Sequence, residues 1–372
     1  MNRKVALALG TMALWATVAG AANWPLFRGN ATQTGSADSE LPSPLQILWQ
    51  FKAKAIEGTA AIVDGVVYVG SDDEFLYALN LSNGEVKWRY KTDGAIRNGV
   101  AVSGGCVYVG DEYGKFHCID AKTGAKKWLF DTEASITSAA NFEGEKVLFG
   151  AGNELLYCLD KDKGGTPLWT FKVPGGQVKG SPAVIAGKTF AAGCDSMLHV
   201  IDVQNGKEVR NVDLGSQVGA SAAVVGEMFY VGTMTSNFVQ AVDWKAGKVV
   251  WSYEAKKRQQ PFESGVAATN ELVLAGSRDR SLHAMDRKTG KGRWVFTTEG
   301  TVSSSPVVVG QRVYFGSNDS KLYVVDIATG KQVQALQLGN KGILASPAVS
   351  DNRLVIGNID GVLYCLGSKT AN

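Results

Sequence analysis

The sequence predicts an all-β fold: an eight-bladed β-propeller of four-stranded antiparallel blades, with the ring closed by the N-terminal strand. Three observations carry this. A glycine ending a Val/Phe/Tyr-rich run recurs at Gly70, Gly110, Gly150, Gly193, Gly232, Gly276, Gly316 and Gly357, at intervals of 39–44 residues. The runs alternate apolar and polar residues with the period of two that belongs to strands. No segment after the N-terminal apolar run sustains helical spacing. Repeats of about 40 residues with room for four strands are the signature of propeller blades.

In chain order, residues 1–22 read as a signal peptide. Arg3 and Lys4 precede an apolar run from Val5 to Val18, and the small residues Ala19-Gly20-Ala21 follow. The run is short for a membrane span, which needs about 20 residues, so cleavage near Ala21 or Ala22 is favoured over an uncleaved anchor. No cysteine lies near that cut to take a lipid. The expected mature chain is exported, periplasmic or secreted, not lipidated, and without a transmembrane span. Residues 23–45 read as a strap against the propeller, residues 46–367 as the propeller, and 368–372 as a tail. A monomer is expected.

Within each repeat an Asp or Asn stands about ten residues after the reference glycine, at Asn80, Asp120, Asp160, Asp202, Asp243, Asp286 and Asp326, and Gly367 holds the last place. Such a side chain can accept backbone amides two residues on. A second glycine follows, at Gly84, Gly124, Gly165, Gly206, Gly247, Gly290 and Gly330, where a positive φ is free of steric cost. Four residues later come Trp88, Trp128, Trp169, Trp251 and Trp294, with Arg210 and Gln334 breaking the series. A buried Trp at this place packs between blades and contributes at most about 4–6 kcal/mol. The last repeat ends without a Trp strand, and Ile47-Leu48-Trp49-Gln50-Phe51 supplies one from the N-terminal side. That strand would complete the eighth blade with 344–366 and leave no open sheet edge in the ring.

Composition narrows the partners. Net charge is +3, and +1 without Arg3 and Lys4, whereas a duplex-binding protein shows a basic excess. Nucleic acid is excluded on that ground. Of five cysteines, Cys118, Cys158 and Cys365 share one repeat position, as small buried hydrophobes would. Cys106 and Cys118 fall on neighbouring strands of one hairpin, so a disulfide there stays open. His117, His199 and His283 occupy the place where Tyr77, Tyr157, Tyr323 and Tyr364 stand in other repeats. Spread around a ring, they do not converge on a metal, and no catalytic residue is singled out.

The innermost strand of each blade lines a central channel, and its first positions are where the repeat lapses. Glu57, Arg97, Thr137, Lys179, Gly219, Glu263, Ser303 and Leu344 each follow a repeated apolar residue but do not themselves repeat. They predict a ring at one channel mouth, which either binds a small polar ligand or peptide segment, or is a salt-bridged, water-filled entrance. The connection Glu254–Ser264 is long, and Lys256, Lys257, Arg258 and Phe262 on it are candidates to meet an acidic partner, or form an exposed loop.

The pattern Val-Tyr-x-Gly-Ser-x-Asp-x-x-Leu-Tyr-x-x-Asp-x-x-Thr-Gly-x-x-x-Trp, best seen at 275–296 and, without its Trp, at 313–330, resembles the pyrroloquinoline-quinone-like (PQQ-like) propeller repeat family over residues 46–367. Trp24-Pro25-Leu26-Phe27-Arg28-Gly29 is similar to the opening segment of its exported, BamB-like members, where it is read as the strap or as a site of its own. The family holds quinone-dependent dehydrogenases and non-enzymatic scaffolds of outer-membrane β-barrel assembly. The chain lacks the dehydrogenases' adjacent Cys pair and haem motif, and also the scaffold's lipidated cysteine. The resemblance implies an exported non-catalytic scaffold that binds a protein partner, envelope component or small polar ligand and needs no cofactor, with a peripheral place at the outer membrane among its expected locations. Its alternative is a PQQ-dependent oxidoreductase or quinone-binding relic, in which Arg97, Lys179, Glu57 and Glu263 would supply part of a PQQ and Ca²⁺ site.

Overall fold

The computed structural model describes residues 23–37, 39–255 and 259–369, and the signal peptide expected over 1–22 lies outside them. Every regular element described is a β-strand. The strands form eight sheets. Blade 1 is typical: Ala61–Val63, Val66–Gly70, Phe75–Asn80 and Val86–Lys91 lie side by side in chain order. The second and third strands are apolar on both faces because blades cover them on both sides. The fourth strand alternates exposed and half-buried residues because it forms the rim. In blade 8 the fourth strand is Gln46–Lys52, antiparallel to Val362–Gly367 with Trp49 opposite Cys365. The ring is therefore closed by the N-terminal strand.

One contact joins blade to blade. The indole of Trp88 lies on Gly124 in the next blade, where an added Cβ would come 2.8 Å from the ring. Its Nε1 donates to the carbonyl of Ala121 at 3.0 Å. Trp49 repeats this with Gly84 and Leu81, Trp169 with Gly206 and Val203, Trp251 with Gly290 and Arg287, and Trp294 with Gly330 and Ile327. These glycines combine positive φ with contact too close for any side chain. In blade 3 the partner of Trp128 is Gly164, one residue before the Gly165 that spacing selects. An added residue in that turn displaces the count, and a Cβ on Gly165 would meet nothing within 4 Å.

The two breaks in the Trp series have physical reasons. Arg210 lays its flat guanidinium and Cδ over Gly247, where an indole lies in the other blades. Gln334 faces blade 8, whose fourth strand arrives from the N-terminus, so no Asp-to-Gly turn is there to receive an indole. Its amide instead clamps Leu45, accepting from the backbone N at 2.9 Å and donating to the carbonyl at 2.9 Å.

The turn aspartates behave as their sequence position implies. Asp120 accepts the amides of Lys122 and Thr123 and the Thr123 hydroxyl, and Asp286 does the same with Lys288 and Thr289. The three histidines do the work of the tyrosines they replace. Tyr77 and Tyr323 donate to Asp73 and Asp319 at 2.8 Å, while His117, His199 and His283 hold Asp111, Asp195 and Asp279 at 3.1, 2.7 and 2.9 Å. Cys118, Cys158 and Cys365 are fully buried, and burial pushes each thiol up to about 12. Cys106 and Cys118 are separate thiols.

Residues 24–37 pair with the inner strands of six blades. Trp24 exchanges backbone hydrogen bonds with Ile62 of blade 1. The carbonyls of Pro25, Ala31, Thr32, Thr34 and Gly35 then accept from Val102, Val184, Val224, Ala268 and Val308, in blades 2, 4, 5, 6 and 7. Ser36–Ala37 ends the path as a fifth, parallel strand on Val307–Val309. The strap thus saturates inner-edge amides that would otherwise be left unpaired in the channel.

Two outcomes test this account. Trp88→Ala and Gly124→Val should each lower stability by about 2–4 kcal/mol in urea unfolding, and the double variant should cost well under their sum because one contact is lost twice. For pH, Asp120 is held below the usual carboxylate range chiefly by the Thr123 amide, Asp286 by the Arg293 guanidinium, and Asp326 by the Thr329 hydroxyl. Their folded values lie below the unfolded one, so the stability they add is full above about pH 4 and is lost as pH falls through the lowered values. Unfolding midpoints measured from neutral pH to about pH 2 should fall over that window. Asp120→Asn, which copies Asn80 of blade 1, should flatten part of the fall.

Candidate functional site

The non-repeating positions converge on one end of the channel. Glu57, Arg97, Thr137, Lys179, Ser303 and Leu344 line a single cavity of about 160 Å³, and Gly219 and Glu263 do not. Each ring residue stands just before its inner strand, on a turn held by the preceding buried apolar residue. Ile56, Ile96, Ile136 and Ile343 pack against the reference glycines Gly357, Gly70, Gly110 and Gly316 of neighbouring repeats. That lock is why the next side chain is free to vary and is aimed inward.

Arg97 is the electrostatic centre of the mouth. Its Nε and Nη2 each donate to Asp72 at 2.9 Å, Nη1 donates to Glu112, and Glu57 stands 3.7 Å from Nε. The hydrogen bond it donates to Asp72 is the leading reason its pKa is raised. Glu57 is also raised, first by burial and then by the negative field of Asp72, with Arg97 opposing. Glu263 pairs across 3.4 Å with Arg278. Sequence reading missed Asp72, Glu112 and Arg278. They share one repeat position, two after the reference glycine (one after Gly193 in blade 4, whose register is offset by one), where Gly152, Cys194, Met234, Asn318 and Ile359 stand elsewhere. That place also fails to repeat, and this is the signal that could have found them.

Below the mouth, serines link the blades. Ser181, Ser221, Ser305 and Ser346 accept the backbone amides of Ala139, Ser181, Gly265 and Ser305, each at 2.8–2.9 Å. Phe27 of the strap lines the cavity beneath them. Arg28 beside it is 1% exposed, and its Nη2 donates to the Val266 carbonyl at 2.9 Å. Burial lowers its pKa to about 9. The strap residues therefore pack; Phe27 alone of Trp24–Gly29 reaches the cavity.

Phe262 corrects an expectation. It is fully buried, edge-on to the His283 ring at 5.1 Å and under Gly232, where a Cβ would come 2.7 Å from its own. It belongs to the framework with Ile56 and Ile96, and presents nothing to a partner. Lys256, Lys257 and Arg258 lie outside the described residues.

The residues at the mouth do not fit a quinone with its metal. The guanidinium such a cofactor's carboxylates would need is engaged by three carboxylates of the protein. The cavity is about 160 Å³, whereas small-molecule sites usually run from about 300 to 1,000 Å³.

Eight four-stranded blades with a non-repeating charged mouth define a propeller of the PQQ-like repeat class. The chain belongs to the family whose model is described as "Outer membrane protein assembly factor BamB", which matches residues 46–98, 94–231 and 235–372. It is 22% identical to BamB of Salmonella typhimurium over 209 residues, covering 50% of this chain and 49% of that protein. It is 30% identical to quinohemoprotein alcohol dehydrogenase ADH-IIG of Pseudomonas putida over 142 residues, 32% of this chain and 20% of that one. A stretch of 117 residues is 30% identical to the beta-alanine-activating enzyme of Danio rerio, of which it covers 10%. These matches span about half or less of each relative. Among solved structures, BamB from Moraxella catarrhalis superposes with a TM-score of 0.74 at 20% identity, covering 89% of this chain and 99% of that one. Quinohemoprotein alcohol dehydrogenase from Comamonas testosteroni gives 0.81 at 15% identity, covering 94% and 82%. At these identities the structures speak for the fold alone.

The mouth makes a measurable prediction. Arg97 opposes the upward shift of Glu57, so Arg97→Ala should raise the Glu57 pKa further, read by carboxyl-carbon NMR. The same substitution should change stability by no more than about 1 kcal/mol, because the guanidinium is partly exposed.

Proposed function

We propose that the protein is an exported, non-catalytic scaffold of the cell envelope, which binds a protein partner or a small polar ligand at the mouth face of the propeller during outer-membrane protein assembly. The observation that carries this reading is the family match, which runs through the whole repeat. Glu57, Arg97, Thr137, Lys179, Glu263 and Ser303 are the proposed contacts, and Lys256, Lys257 and Arg258 the proposed contacts for an acidic surface. A face of this kind favours orientation and encounter rate, since its charges are mixed and partly exposed.

A photo-crosslinking residue placed at Lys179 should capture a component of the outer-membrane β-barrel assembly machinery in envelope preparations, identified by mass spectrometry. The same residue at the rim position Val333 should not. Equal capture from both positions, or none from Lys179, would remove the mouth face from the proposal. Lys256→Glu/Lys257→Glu should weaken the capture.

A second reading, a quinone-dependent oxidoreductase or quinone-binding relic, draws support from the dehydrogenase relatives. The engaged Arg97 and the small cavity weigh against it. A ligand at 100 times its dissociation constant stabilises by about 2.7 kcal/mol. Melting with PQQ and Ca²⁺ is therefore expected to show no shift.

A further inference from the structure

A cavity of about 930 Å³ lies away from the channel, in the cleft between the outer parts of blades 5 and 6. The repeat serves as a control for how it arises. The first residue of the third strand is Phe, Leu, Met, Val or Lys in seven blades, for instance Phe75 and Phe238, but Ser281 in blade 6. Its cross-strand partner is charged or Gln in those blades, such as Lys91 opposite Phe75, but Thr297 in blade 6. The residue two before the Trp is Gly292 here, and no other blade carries glycine at that place. In blade 1 the same space is filled, with the Lys91 ammonium 5.0 Å over the Phe75 ring. Blade 6 has been trimmed at three neighbouring positions on one face. The small side chains leave Tyr253 and Asp279 lining the cleft.

Asp279 supplies the chemistry. In blades 1, 4 and 7 the matching carboxylates use both oxygens. Asp73, Asp195 and Asp319 accept the amide two residues on with Oδ1, and the Tyr or His with Oδ2. Asp279 is 7% exposed, and its Oδ2 is held by His283 Nε2 at 2.9 Å. Its Oδ1 has no hydrogen-bond partner among the described residues. The Tyr253 hydroxyl lies 3.1 Å from His283 Nδ1, so both ring nitrogens of His283 are engaged and Asp279 Oδ1 is the one acceptor of the chain Tyr253–His283–Asp279 left without a partner among the described residues. A nearly buried carboxylate oxygen without a donor is costly. Glu254 adds a second negative charge at this end, and an aromatic face such as that of Tyr253 attracts cations. Lys291 and Arg293 line the other end, with Arg293 held by Asp286.

We infer that the cleft between blades 5 and 6 binds a primary ammonium group, which donates to the Asp279 carboxylate, with the ligand body lying against Tyr253. The ammonium is that of a free alkyl amine or of a lysyl side chain on a peptide.

The test titrates the full chain with n-butylamine and with N-acetyl-lysine methylamide, following Trp fluorescence and calorimetric heat. Controls are n-butanol and the Nε-acetylated lysine derivative. Saturable binding is expected for the two ammonium compounds only, weakened about tenfold or more in Asp279→Asn and lost in Ser281→Phe. The second variant restores the residue type of Phe75 and Phe238, so it fills the cleft with a side chain the fold already carries. It decides the matter if Asp279→Asn does not fold. Tighter binding of the lysine derivative assigns a peptide ligand, and tighter binding of butylamine a free amine. Absence of saturable binding at tens of millimolar, equal binding of butanol, or undiminished binding to folded Ser281→Phe would overturn the inference.

Discussion

An indole lying flat on a glycine of the next blade is the contact on which this ring depends. A four-stranded blade has two apolar faces and little core of its own, so it becomes stable only between neighbours. The Trp supplies area and the carbonyl beneath it fixes orientation, since the indole N–H must find an acceptor when covered. A flat ring can descend that far only onto a residue without a Cβ, which explains why Gly and Trp recur together. The closing contact, Trp49 on Gly84, joins the N-terminal strand of blade 8 to blade 1. Closure of the ring and closure of the last sheet are thus one event.

This dependence explains what could be read from the sequence. Glycine, aspartate and tryptophan recur because each has a geometric job that no other residue does as well, and a recurring job is visible without coordinates. Blade number, strand order and the ring at Glu57 and Arg97 follow from that. The three His, placed by register where Tyr stands, proved to hold the same aspartates. What stayed hidden depends on distance across the ring. Asp72 and Glu112 sit in a loop between strands, and nothing local says that both reach Arg97. Phe262 looked like part of a basic loop because its neighbours are polar. Its register with Ile56 and Ile96 was the better guide, because a framework position stays buried whatever flanks it.

The strap changes what the channel can do. Its carbonyls saturate the inner strands of blades 1, 2, 4, 5, 6 and 7. The strap therefore runs through the channel, and Phe27 bounds the mouth cavity. A cavity of this size, with its strongest cation already bound by three carboxylates, is a poor container for a large cofactor and a reasonable landing surface.

In a repeat protein the informative residue is the one that breaks register without a structural reason. Arg210 and Gln334 break the Trp series, but each is explained by what it packs on or clamps. The mouth charges break it and are mostly consumed by one another. Ser281, Gly292 and Thr297 break it differently. Each is smaller than its counterparts, all three border one space, and the carboxylate beside them lacks a donor that its homologous positions in blades 1, 4 and 7 possess. Loss of bulk lowers the packing of two adjoining blades, and an unpaired carboxylate oxygen adds a further cost. Neither change improves the ring, so the physical account that remains is a ligand that restores both the lost contact and the lost hydrogen bond.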